Sequence, residues 1–161
     1  MMERRIPTVA VDANAFDRDG SARDALVDEL WAEIAAGRLR LFLPAGVAEE
    51  MRHARAPAAV QARAEQVAAL ALPRERAATP SARQHIDRIR LRAMLRGDGR
   101  PGKHDADASH LSEAAEAGCD LFLTRDGKIL RKRDILRVTL PPELRIATLE
   151  EFMARHRQFK G

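Results

Sequence analysis

Cysteine is nearly absent from the 161-residue chain: Cys119 stands alone, there is no tyrosine, and the other aromatics are five phenylalanines and one tryptophan. A single thiol cannot close a disulfide within the chain, which points to a reducing, cytoplasmic setting. Placed in an apolar stretch, it reads as buried filler. So few rings argue against a base-stacking platform for single strands, and they leave the core to Leu, Ile, Val, Ala and Met. Long apolar runs are also missing, and none approaches the roughly 18 residues of a membrane span. The start, Met1-Met2-Glu3-Arg4-Arg5, is basic, but the apolar run from Ile6 stops at Asp12, which does not fit a signal peptide. Gly97-Asp98-Gly99 lacks the preceding strand and the third glycine of a dinucleotide loop. Among His53, His85, His104, His110 and His156 no pair has a zinc-ligand spacing. No Ser or Cys nucleophile with its base is visible.

What is present describes a folded domain. Hydrophobic residues make up 45% and charged residues 32% of the chain, a balance that fits one globular domain over 1–161. Lys and Arg number 28 against 24 Asp and Glu. A basic chain that gathers its acids in a few places suits a polyanionic partner.

Short apolar strands alternate with helices. Thr8–Val11, Leu39–Leu43, Asp120–Thr124 and Arg145–Ala147 read as strands. A helix capped by Ser21, with Asp24 three residues on, carries Leu26, Val27, Leu30, Trp31 and Ile34 and stops at Gly37. Pro44 and Gly46 turn the chain into a helix with Val47, Glu49, Glu50 and Met51. Ala58–Leu72 reads as a helix ended by Pro73, followed by a polar loop over 73–80. Ser81 and Gln84 form the capping box of a helix whose apolar positions include Ile86, Ile89 and Met94. Asp105–Ala117 is a helix stopped by Gly118, Lys128–Arg133 a short basic one, and Thr148 with Glu151 boxes a last helix that turns Phe152 and Met153 inward. Alternation of this kind predicts an α/β fold around a mainly parallel sheet.

The acids fall where strands end. Asp12 follows the first strand, Glu49 and Glu50 come just after the second, and Asp126 follows the third. Asp107 opens the helix that feeds the third strand. In a parallel sheet the carboxyl ends of strands share one rim, where ligands bind. Carboxylates packed there cannot all stay ionised without a cation, and a hard ion such as Mg²⁺ or Mn²⁺ resolves the conflict. Each acid also has a plainer reading: Asp12 as a turn or cap residue, Glu49 or Glu50 as a solvated helix residue, Asp105 and Asp107 as first-turn acids, and Asp126-Gly127 as a turn. The functional reading draws its weight from all four positions being acidic together.

These residues resemble the PIN domain, a metal-dependent nuclease family. Val11-Asp12-Ala13-Asn14 is similar to its opening strand and Asp-x-Asn. Val47-Ala48-Glu49-Glu50-Met51 is similar to its Val-x-x-Glu-apolar segment, which favours Glu50 over Glu49. The most specific stretch runs from Asp105-Ala106-Asp107-Ala108-Ser109-His110-Leu111 through Gly118-Cys119-Asp120-Leu121-Phe122-Leu123-Thr124-Arg125-Asp126. Ile146–Phe152 resembles the closing strand and helix. The resemblance implies a three-layer α/β/α fold with sheet order 3-2-1-4-5. It implies Asp12, Glu50 and Asp107 as primary Mg²⁺ or Mn²⁺ ligands, Asp126 as an outer or second-metal ligand, and Asn14 and Thr124 orienting that shell. The activity implied is endoribonucleolytic, on RNA or single-stranded DNA, with a homodimer or an antitoxin-like protein as further partners. From Ala54 to Pro101 the chain is longer and more basic than a minimal toxin-type member.

Two basic runs suit phosphate. Arg125, Lys128, Arg131, Lys132 and Arg133 lie close to Asp126 and are expected to hold substrate, whereas Arg83, Arg88, Arg90, Arg92, Arg96, Arg100 and Lys103 fit a solvated surface equally well. His110, three residues after Asp107 on the same helix face, is expected to pack or hydrogen-bond. Two rival readings are a PIN-like module that binds nucleic acid or a protein complex without cleaving, and a phosphotransfer domain with Asp12 as acceptor.

Overall fold

The computed structural model describes residues 5–53, 55–71, 81–102 and 104–160. The loop expected over 73–80, the last residue of the helix expected to reach Leu72, and Lys103 of the first basic run lie outside the described residues. Four parallel strands form the sheet: β1 (Thr8–Val11), β2 (Arg40–Phe42), β3 (Leu121–Leu123) and β4 (Arg145–Ala147), in the order β2-β1-β3-β4. The expected order of five strands is therefore corrected to four among the described residues. A single parallel bridge, Leu41 to Ala71, lies outside β2. One bridging residue does not make a strand.

The helices are α1 (Arg23–Ala35), α2 (Ala45–Arg52), α3 (Ala58–Leu70), α4 (Ala82–Arg96), α5 (Asp105–Glu116), α6 (Gly127–Leu136) and α7 (Leu149–Lys160). Side chains alternate across β1, so each face of the sheet has its own core. Val9 and Val11 join Leu30, Leu41, Val47, Met51 and Leu123 on one face. Ala10 joins Leu91, Leu95, Leu111, Phe122, Ile129 and Ile146 on the other. This two-sided burial explains why the strands read as short, almost continuous apolar runs. It is consistent with helices layered on both faces. Among the described residues no helix is long and apolar enough to cross a membrane.

Several local expectations are corrected. Ile86 and Ile89 were expected among the apolar positions of α4, but they are 46% and 63% exposed, and Leu91 and Leu95 supply its buried face. The capping box at Ser21 does not form. Asp24 instead accepts from the backbone N–H groups of Asp19 and Gly20, and Ala22 stands at the cap without a side-chain bond. The boxes at Ser81–Gln84 and Thr148–Glu151 do form. The basic helix after Asp126 runs on to Leu136, because Ile129 and Leu136 are buried on its inner face.

The strand order reverses at β1. The chain moves outward to β2 on one side, then returns to place β3 and β4 on the other. Val11 is in register with Leu123, so the segments that leave β1 and β3 begin side by side at the carboxyl edge. Such a reversal opens a crevice in parallel α/β sheets. Asp12 and Thr124 are the first residues beyond those two strand ends.

Candidate metal centre

Asp12 is 5% exposed, and its carboxylate is fixed by the chain around it. It caps the short 3-10 turn Ala13–Phe16, its Oδ1 accepting from the Ala13 N–H at 2.8 Å. Thr124, itself buried, donates its hydroxyl to Asp12 Oδ2 at 2.9 Å and accepts the Asp126 N–H at 3.0 Å. The ends of β1 and β3 are thus tied through one hydroxyl. Asn14 adds a second tie, its Oδ1 accepting the Arg125 N–H at 3.0 Å.

Arg23 holds the same loop from below. An arginine in the first turn of a helix is poorly placed for the helix dipole. This one is buried and reaches back to the carbonyls of Asp17 (3.1 Å), Asn14 (3.3 Å) and Ala15 (2.7 Å), and to Glu150 (3.2 Å). Its guanidinium fork suits several acceptors at once.

Glu50 arrives on α2 and His110 on α5. Glu113 accepts the Ala45 N–H at 2.6 Å, so a side chain of α5 caps the first turn of α2 and docks one helix on the other. The close approach depends on Gly46. A Cβ at that position would lie 2.7 Å from His110 Nε2, nearer than non-bonded atoms tolerate. His110 Nε2 lies 3.5 Å from Glu50 Oε1, and its Nδ1 lies 3.8 Å from Asp12 Oδ1. The ring is 1% exposed, and neither nitrogen has a hydrogen-bond partner. One ligand atom each from Asp12, Glu50 and His110 lie within 4.8 Å of one another.

Electrostatics match this picture. Burial raises the Asp12 carboxyl above its ordinary value, and Asp107 pushes it the same way against the pull of Thr124, His110 and the Ala13 amide. Glu50 is raised by burial as well, with Asp12 and Asp107 adding to the effect and His110 opposing it. Negative charge is therefore uncomfortable here, which is the condition a bound cation relieves.

The four acids expected from sequence are not drawn into a single set. Asp12 and Glu50 are together, and Glu50 rather than Glu49 joins the cluster, whereas Glu49 lines the adjacent groove. Asp107 acts on both through its charge and lies 3.2 Å from His104 Nδ1. His104 Nε2 in turn lies 2.7 Å from Lys128 Nζ. An ammonium can only donate, so the imidazole proton sits on Nδ1 and points at Asp107. Asp126 reaches Asp12 only through Thr124; its carboxylate caps α6 by accepting from the Lys128 and Ile129 amides at 2.8 and 3.4 Å.

The basic residues divide similarly. Lys132 donates to the carbonyls of Met94 and Leu95 at 2.7 and 3.2 Å, near the end of α4. Arg133 pairs with Glu151, and Arg125 lies 3.4 Å from Asp19. Arg131 is exposed beside Gly127. In the first run Arg88 is held by Glu116 at 2.7 and 2.6 Å, whereas Arg90, Arg92 and Arg100 are exposed.

From the sequence His110 is expected to pack or hydrogen-bond and Gly46 to mark a turn, and neither Arg23 nor Glu113 stands out. The available signals were a glycine in the first turn of a helix, where it is a poor helix former, and a histidine on the Asp107 face. A groove of about 550 Å³ opens beside the cluster, lined by Gly46, Glu49, Glu50, His53, Ala106 and His110 among others. No protein-family model matches the chain, and no curated protein matches it in sequence.

Proposed function

We propose that the protein is a metal-dependent endoribonuclease of the PIN type, acting in the cytoplasm. The observation that carries this reading is the convergence of Asp12, Glu50 and His110 within 4.8 Å at the carboxyl edge of the parallel sheet. The donor set fits a divalent ion. Ligand atoms about 2.1 Å from one ion lie about 3–4.2 Å apart; each ring nitrogen of His110 stands at such a separation from one carboxylate, Nε2 from Glu50 at 3.5 Å and Nδ1 from Asp12 at 3.8 Å, and one ligand atom from each of the three residues lies within 4.8 Å of the others. Both His110 nitrogens are buried without a partner, and coordination would relieve one of them, at about 1–3 kcal/mol per unpaired group.

Asp12 and Glu50 would hold the ion, with Asp107 adding negative charge beside them. A bound divalent ion lowers the pKa of water and neutralises charge developing on a phosphodiester. The chain's own residues do the rest. Thr124 and the Ala13 amide keep the Asp12 oxygens aimed. The partly exposed Glu50 opens the cluster to the groove, where a nucleic-acid strand can reach it. Lys128, Arg125 and Arg131 supply positive charge on the neighbouring segment, and Lys132 contributes through its hold on α4. The motifs of the sequence support the same family.

The test is to incubate the protein with end-labelled single-stranded RNA and DNA, with Mn²⁺, Mg²⁺ or EDTA, beside Asp12→Asn and Asp107→Asn. RNA cleavage that needs the ion and vanishes in folded Asp12→Asn is expected. Ion binding with no cleavage of either polymer would instead favour a non-cleaving nucleic-acid-binding module. Cleavage unchanged by EDTA would overturn the metal-dependent reading.

A further inference from the structure

A carboxylate-only centre and a centre with one imidazole select different ions, and His110 decides between them here. The ring is 1% exposed and wedged between Asp12 and Glu50, with Nδ1 facing one carboxylate at 3.8 Å and Nε2 the other at 3.5 Å. Both distances exceed that of an ordinary N–H···O bond, and neither nitrogen bonds elsewhere. A histidine buried for packing alone would normally find a carbonyl or hydroxyl for at least one nitrogen. The neighbouring backbone is arranged to keep room at the ring: position 46 is glycine, and a Cβ there would lie 2.7 Å from Nε2 and 3.0 Å from Cδ2. α2 is also held in that position by the Glu113 cap on Ala45.

From this juxtaposition we infer that His110 is itself a metal ligand, so that the centre is a mixed nitrogen–oxygen site taking a first-row transition ion in preference to Mg²⁺. The inference rests on the proposed metal-dependent reading and narrows it. One ring nitrogen would bind the ion, and the other would turn its N–H toward a carboxylate. Metal-bound histidines are usually oriented in this way. Mg²⁺ prefers an all-oxygen, largely hydrated octahedron and gains little from imidazole, whereas Mn²⁺, Co²⁺ and Ni²⁺ accept it in increasing measure and Zn²⁺ accepts it readily. Glu50, being exposed, leaves part of the ion's surroundings open to water and to a phosphate oxygen.

The experiment uses the full chain and reads coordination directly. Mn²⁺ and Mg²⁺ are titrated by calorimetry, and the Mn²⁺-loaded protein is studied by pulsed electron paramagnetic resonance. One sample is at natural isotope abundance and a second carries ¹⁵N-labelled histidine. Expected are binding of Mn²⁺ at least about tenfold tighter than Mg²⁺ and a directly coordinated ¹⁴N signal that becomes ¹⁵N in the labelled protein. The isotope comparison needs no substitution, so it stands even if a variant misfolds. The signal should persist in His53→Gln, the other histidine lining the groove, and disappear in His110→Gln. Mn²⁺ bound with oxygen ligands alone, or with affinity equal to that of Mg²⁺, overturns the His110 assignment and leaves the metal-dependent reading intact. No binding of either ion at millimolar concentration overturns both.

Discussion

Replacing Gly46 by alanine tests the packing on which the centre depends, because two effects of opposite sign compete there. Glycine is a poor helix former, and in an open helical position alanine would stabilise by about 0.8–1 kcal/mol. Here the new Cβ would fall 2.7 Å from His110 Nε2 and 3.0 Å from Cδ2, well inside the roughly 3.5 Å at which non-bonded atoms attract. The ring is buried between two carboxylates, so overpacking of about 1–3 kcal/mol is expected. The clash wins or cancels, for a net loss of about 0–2 kcal/mol, or about 0–8 °C of melting temperature in a chain of this size. Thermal unfolding of Gly46→Ala is measured in two backgrounds, the parent and His110→Ala. With the ring gone, the same alanine should raise the melting temperature by about 2–4 °C. The coupling of about 1–3 kcal/mol between the two sites is the quantity of interest. Equal effects in both backgrounds would refute the close approach of α2 and α5.

Three further outcomes follow from other contacts. Thr124→Val leaves Asp12 Oδ2 and the Asp126 N–H unpaired, so a loss of about 1–3 kcal/mol in urea unfolding is expected, with Mn²⁺ affinity down about 10–100-fold. Thr124→Ser should restore both, and an unaffected valine variant would contradict the tie between the strand ends. Arg23→Met removes the donors to three loop carbonyls and should cost about 1.5–3 kcal/mol; a change under about 0.5 kcal/mol, the range of an ordinary surface site, would deny it that role. Burial pushes the Cys119 thiol up to about 12. Its thiolate fraction at pH 8 should then be about a thousandfold lower in the folded chain than in the unfolded one, and alkylation by iodoacetamide correspondingly slower than in urea. The stability contributed by this group is present below the unfolded thiol value near 9 and is lost as pH rises toward 12, because the unfolded chain releases the proton first. Rapid labelling of the folded protein would contradict the burial.

The sheet was legible in the sequence because its strands are buried on both faces and therefore read as apolar runs bounded by charge. Asp12 and Glu50 were legible for a related reason: strand ends in a parallel sheet converge, so spacing along the chain predicts proximity. His110 was not, since its surroundings depend on how α2 docks against α5, and that docking is fixed by Glu113 and Gly46 rather than by any local pattern. The Ser21 box failed where a competitor was present, the backbone amides of Asp19 and Gly20 taking the Asp24 carboxylate. Ile86 and Ile89 follow helical spacing yet face outward, because the inner face of α4 is set by Leu91 and Leu95 against α5 and α6. Periodicity marks a stripe; which stripe is buried is a tertiary matter.

Crystals grown with Mn²⁺ and measured at the manganese edge give the most direct view of the centre. The expected result is one strong anomalous peak bonded to carboxylate oxygens of Asp12 and Glu50, lost in crystals of Asp12→Asn. A manganese site elsewhere on the molecule, with nothing between these two carboxylates at saturating ion, would contradict it.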